Sequence, residues 1–279
     1  MNQSHLLRKR LLAILAYAVM IIAALIVIYP IYSAVNISLL KDTEVAQYPP
    51  RLFPSSLNLA NFTRALEQAP LPRYLLNSII QSLLVMIGQL ITASLAAYAF
   101  AFLNFKGRNF FFLVFMATMM IPWEATIIPN YLTIKQLGWT DTFQGLAVPF
   151  LATGFGTFLL RQFFLKIPRD LYDAAVMDGC SNFRFLTTIV VPLARPALGT
   201  LAVYSFLQTY NQYLWPLLIT NDESMRTVQI GIALLQDEER LMFNTVLAGV
   251  VIILIPTFLL FIFSNRQLIR GLTAGAVKG

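Results

Sequence analysis

Five side chains in the last third of the chain have the types and spacing for solute recognition: Tyr204, Gln208, Asn211, Gln212 and Trp215. Steps of four, three, one and three residues put them on one face of a helix. Amides trade hydrogen bonds with hydroxyl groups, and aromatic rings cover apolar sugar faces, so the set suits a hydroxylated solute. The same stripe serves equally as interhelical hydrogen bonding, at about 0.6 kcal/mol per bond inside a membrane. Glu124 is a further candidate, set between Pro122 and Pro129 in an apolar stretch. At 1.5 Å per residue it lies roughly 22 Å from Arg108, which favours the outer headgroups, where an acid needs no partner. Buried deeper, it would need one.

Catalysis is poorly provided for. His5 and Cys180 are the single histidine and cysteine, too few for a metal cluster or a Cys–His pair. No lysine follows a glycine, so the phosphate loop G-x-x-x-x-G-K-[ST] is absent. The chain is expected to hold no cofactor, and any nucleotide that drives its work must bind elsewhere.

These candidates need elements to carry them. The 279 residues are 58% hydrophobic and 12% charged, against about 45–50% and about 25% for soluble domains. That balance excludes a soluble domain, a disordered chain and a disulfide scaffold. Charge-poor windows long enough to cross about 30 Å of hydrocarbon occur at 11–40, 74–105, 109–134, 142–160, 196–221 and 241–265. The expected fold is all-α, with six transmembrane helices. Arg8, Lys9 and Arg10 precede the first window, but its 30 residues far exceed a secretory core of about 7–15. An uncleaved anchor is expected. Thirteen of the 20 basic residues fall on the side holding both termini and seven on the other, which puts the termini in the cytoplasm. The net charge of +7 is then a mark of topology.

Two loops exceed simple connections. In 41–73, LNLANFTRALEQA is expected to form a short amphipathic helix, either unpartnered or docking. In 161–195, Pro168 suits a helix start, and Leu171, Ala174, Ala175 and Met177 or Asp178 follow at helical spacing. Gly179 stands where a left-handed cap belongs, and Ser181 or Asn182 can begin a second helix that ends near Pro192. Such a knob fits a groove on a soluble partner. Ala93, Ala97 and Ala101 form a small-residue stripe for close helix packing. Met116, Met119 and Met120 face lipid or core. Asp237-Glu238-Glu239 is a solvated acidic cluster or an outer docking site.

The run Asp173-Ala174-Ala175, three residues, Gly179, nine residues, Ile189-Val190-Val191-Pro192 resembles the EAA motif of bacterial ABC-importer permeases. Asp173 replaces the usual Glu, and Val191 the usual Leu. TFLLRQFF at 157–164, NQYLWPLLI at 211–219 and Arg270-Gly271-Leu272 look most like the carbohydrate-uptake permeases of the maltose and glycerol-3-phosphate types. The resemblance implies a MetI-like type I importer permease core at 75–272, carrying a coupling loop at 161–195. An anchor helix and extracytoplasmic loop occupy 1–74, and a tail 273–279. It implies a bacterial inner-membrane protein acting as a heterodimer with a second permease. Two ATPase subunits binding ATP and Mg, and an extracytoplasmic solute-binding protein, would complete the system. Leu171–Asp178 becomes the helix that enters the ATPase, with Leu171, Asp173, Ala174, Ala175, Asp178, Gly179 and Pro192 as coupling residues. The solute would be a sugar, a polyol or a glycerol phosphate. Spans two, five and six carry no basic residue in their interiors, which inclines the reading toward a neutral solute. The alternative is an ion-coupled secondary transporter, which needs intramembrane acids and often paired repeats. Glu124 alone meets the first need, and no repeat is visible.

Overall fold

The computed structural model describes residues 3–47, 49, 51–236 and 242–273, with side chains described between residues 10 and 263. Asp237-Glu238-Glu239, most of the tail, and the side chains of His5 and Arg270-Gly271-Leu272 lie outside the described residues. All described regular structure is helical. The chain forms two compact units, residues 1–71 with 232–254, and residues 72–231 with 255–279.

In the first unit, α1 (Gln3–Ser38) is apolar, exposed from Arg10 to Tyr32 and buried at Asn36 and Ser38. α2 (Asp42–Val45) and α3 (Ala60–Gln68) follow, the latter being the expected amphipathic helix. One turn apart, Asn61 and Ala65 are the residues α3 buries. Asn61 is fully buried and organises this unit. Its amide donates to the carbonyls of Ser38 at 2.8 Å and Leu40 at 2.9 Å, and its oxygen accepts from Arg64 at 3.0 Å and Asn244 at 3.2 Å. Asn244 also donates to Asp42 at 2.7 Å; with Arg64 alongside, this bond holds the Asp42 carboxyl below its usual range. Asn61→Ala strands several buried groups at once, at a cost of about 1–3 kcal/mol. Its melting midpoint in detergent should fall by several degrees. Arg64→Ala, which removes a part-exposed ion pair, should cost under about 1 kcal/mol. Equal midpoints for the two variants would contradict the central place of Asn61.

In the second unit, α4 (Leu71–Phe102, from Pro72 onward) is one unbroken apolar helix. Expected spans three and four are instead bent, and expected span five is preceded by a third bend and interrupted after Tyr210. α5 (Arg108–Ala117) and α6 (Trp123–Gln136) meet at 95° through a turn at Thr118–Met120. α7 (Phe143–Ala147, extended by a turn to Phe150) meets α8 (Gly154–Phe164) at 48°. After α9 (Arg169–Met177), α10 (Asn182–Phe185) and α11 (Val191–Leu193) run as one rod, which meets α12 (Arg195–Tyr210) at 83°. If each bent pair is one span, the helices that can cross a membrane number six among the described residues. Pro122, Pro149 and Pro196 stand at the breaks, in caps or first turns, where a missing N–H is tolerated.

A broken helix frees carbonyls that lipid cannot satisfy. α4 supplies the donors. Gln81 bonds the Leu146 carbonyl at 3.3 Å, Gln89 that of Phe150 at 2.8 Å and Thr92 that of Leu151 at 2.6 Å. From there toward its C-terminus, Ala93, Ala97 and Ala101 are buried in a core with Leu160, Phe164 and Leu201, which is the packing role their spacing predicts. The end of α4 is bound by three guanidinium groups: Arg161 on the Phe100 carbonyl, Arg108 on Leu103 and Arg169 on Phe102, at 3.3 to 3.5 Å. Cations at a helix C-terminus also oppose its dipole. α13 (Leu214–Ile219), α14 (Val228–Gln236) and α15 (Phe243–Thr273) complete the order.

Candidate functional site

Two places gather the residues singled out by sequence. The first is α9. Pro168 precedes it in extended backbone, and its ring fixes φ at the entry. Gly179, at φ +73°, closes it. The Gly179 N–H donates to Val176 O at 3.0 Å and the Cys180 N–H to Ala175 O at 2.9 Å, the paired bonds of a Schellman cap. No atom lies within 4 Å of where a Cβ would stand on Gly179, so the demand for glycine comes from the backbone alone. Ser181, one of the two candidate caps, accepts from the Arg184 N–H at 3.3 Å and starts α10. The helix beyond widens to a π turn at Leu186–Val190 before half-buried Pro192, whose ring would otherwise crowd the carbonyl four residues back.

The inner face of α9 is seated on rings. Tyr172 lies 5.6 Å from Phe102 and 5.3 Å from Phe185, and Ala175 is buried. Asn182 accepts from the hydroxyls of both Tyr172, at 3.1 Å, and Tyr98, at 3.0 Å. The opposite face is apolar and uncovered: Met177 is 87% exposed, and Leu171 and Ala174 are exposed beside it. Asp173 and Asp178 are exposed at its rim. The motif's two alanines thus face opposite ways, Ala175 inward and Ala174 outward.

The second place is a cavity of about 700 Å³, within the size range of small-molecule sites. Tyr204, Gln208, Gln212, Trp215 and Glu124 all line it. Two expectations need correction. The stripe is not on one helix: α12 stops at Tyr210, and Trp215 belongs to α13. Pro216 is the cause, since a helix continuing through it would lack the bond to Gln212 and meet that carbonyl sterically. Asn211 caps α12 from an exposed position outside the cavity lining, donating to Leu207 O at 2.8 Å and accepting from Gln229 at 3.3 Å. Trp215 is 1% exposed, wedged with Trp123 and Phe150, and donates to Gly145 O at 3.1 Å. Glu124 is exposed in the first turn of α6, at the 95° break.

Sequence reasoning missed Gln89, Trp123, Phe150, Thr153, Phe155 and Tyr213 in the wall. Gln89 was the findable one, a glutamine in a charge-free window. Trp123, Phe150, Thr153 and Phe155 reach the cavity because spans three and four break, and Tyr213 because the helix stops at Tyr210, which spacing on straight helices does not foresee. Among the described residues, no lysine, arginine or histidine lines the cavity.

Residues 61–272 match the model of a family described as the binding-protein-dependent transport system inner membrane component. The sn-glycerol-3-phosphate transport system permease protein UgpE of Agrobacterium fabrum is 34% identical over 268 residues, covering 93% of this chain and 95% of its own. The protein of the same name from Yersinia enterocolitica is 35% identical over 272 residues, covering 95% and 97%. Among solved structures, a chain of a bacterial ABC transporter involved in the import of the acidic polysaccharide alginate superposes with a TM-score of 0.81. It covers 95% of this chain and 98% of its own; at 23% identity it shows the fold alone. None of these likenesses supports the ion-coupled alternative.

Proposed function

The chain belongs to the binding-protein-dependent transport system inner membrane components, and on that premise we propose that α9 is its contact with an ATPase and the cavity its share of a solute path. As a member it is a permease of the bacterial inner membrane rather than an enzyme. In the proposed assembly it pairs with a second permease, and two ATPase subunits hold ATP and Mg on the side of both termini. An extracytoplasmic solute-binding protein delivers a sugar, polyol or glycerol-phosphate-type solute from the other side. Closure of the ATPases drives α9, and the bundle alternates between outward and inward openings.

The observation that carries this reading is the build of α9. Its inner face is fixed by rings and hydrogen bonds, its C-terminal end is capped at Gly179, and its outer face presents Met177 and Leu171 to a groove. A lever must be stiff where it is held and complementary where it is pushed. Met177→Asp tests this. At 87% exposure the side chain contributes little to the fold, yet a carboxylate pressed into an apolar groove without a partner is costly. Co-purification with the ATPase should fall tenfold or more while membrane insertion persists. Full ATPase stoichiometry in the variant would remove α9 as the contact. Uptake should also outlast collapse of the proton and sodium gradients for as long as ATP is maintained.

A further inference from the structure

The polar groups of the cavity wall are mostly spent on the protein itself. Gln89 donates to Phe150 O at 2.8 Å and accepts from Ser205 at 2.5 Å. Gln208 donates to Tyr204 at 3.0 Å, and Gln212 accepts from Gln81 at 3.0 Å. Thr209 donates to Ser205 O at 2.9 Å, Thr118 to Phe115 O at 2.6 Å, and Thr153 accepts from the Gly156 N–H at 3.4 Å. Of the hydroxyl, amide and carboxyl side chains in the lining, those of Glu124 and Tyr213 have no hydrogen bond or ion pair among the described residues. Both are exposed, and so are open to an incoming molecule.

We infer that Glu124 is the specificity-determining group of this cavity, accepting hydrogen bonds from the hydroxyls of an uncharged polyhydroxylated solute and turning away phosphate- or carboxylate-bearing ones. This rests on the reading of the cavity as part of the solute path. The chemistry is one-sided. A carboxylate offers acceptors alone, so it complements the donors of a sugar or polyol with charge-assisted bonds, roughly twice as strong as neutral ones. The rings of Trp123, Phe150, Phe155 and Tyr204 supply apolar faces in the same cavity. A phosphate monoester would meet the same carboxylate with no cation in the described wall to offset it. Repulsion of this kind is how a site discriminates among solutes of similar size.

The test uses the whole transporter, reconstituted with its binding protein in ATP-loaded vesicles. Labelled maltose, sorbitol and glycerol serve as uncharged probes, and sn-glycerol 3-phosphate and glucose 6-phosphate as anionic ones. The wild type should import at least one uncharged probe about tenfold faster than either anion. Glu124→Gln, nearly equal in shape, should slow that probe about fivefold and narrow the ratio between the classes about tenfold. Glu124→Asp keeps the charge and should keep the ratio within about threefold; it serves if the glutamine variant fails to assemble. Import of an anionic probe that Glu124→Gln leaves within twofold would overturn the inference and leave the importer intact. Equal slowing of both classes would make the residue structural and overturn it as well. Import without ATP would overturn the importer reading instead, and import of none of the five probes would overturn both.

Discussion

Gly179→Val is expected to abolish the stimulation of ATP hydrolysis by solute-loaded binding protein, a loss of tenfold or more, while the chain still inserts. The residue holds φ +73°, a region that a β-branched side chain enters at a cost of about 1–3 kcal/mol. Space is not at issue, because nothing stands within 4 Å of the added Cβ. The strain is relieved only by changing φ, which breaks the bonds from Gly179 and Cys180 to Val176 and Ala175. The end of α9 then frays, and Met177 loses its fixed bearing. Gly179→Asn separates this cause from others, since asparagine tolerates the left-handed region better than most residues; it should restore much of the stimulation. Stimulated and basal ATPase rates of the assembled complex decide the matter. Undiminished stimulation in an assembled valine variant would end the coupling role.

The second large effect is at Trp215. Trp215→Ala should lower stability by about 3–5 kcal/mol and abolish solute import. The indole is 1% exposed, stands 5.6 Å from Trp123 and 6.0 Å from Phe150, and holds the Gly145 carbonyl at 3.1 Å. It therefore joins the pieces of three interrupted helices, α6, α7 and α13, around one wall of the cavity. Trp215→Phe keeps most of the contact area but orphans that carbonyl, costing about 1–3 kcal/mol, and should leave partial import. Melting midpoints and uptake rates of the two variants, measured side by side, test the order. A phenylalanine variant as damaged as the alanine one would mean the hydrogen bond, not the packing, is what matters.

Local signals in the chain go a long way. Pro168, Gly179 and Ser181 each act on their own backbone or on residues two or three away, so the outline of α9 and α10 is legible from the amino acids alone. The six apolar windows are legible for a similar reason: length and lack of charge are properties of a single stretch. Bends are not, although Pro122, Pro149 and Pro196 mark them. Proline gives a place where a helix can break but not the angle, which depends on what receives the freed carbonyls. For the same reason the stripe from Tyr204 to Trp215 is only partly right. Its residues share a cavity because two helices converge there, while Asn211, which the spacing places among them, turns away.

The donors that α4 lends to broken helices have a consequence for how such a chain can vary through descent. A lineage is free to change Glu124 when its solute changes, since no other described residue depends on that side chain. It is less free to exchange Gln81, Gln89 or Thr92 for leucine, because each would take away the side-chain donor that a carbonyl of the broken fourth span now has. Substitutions at these three positions should therefore arrive together with changes in where span four breaks, and run independently of diet. Among transporters for different nutrients, a glutamine that looks like a ligand and never changes would be recording architecture.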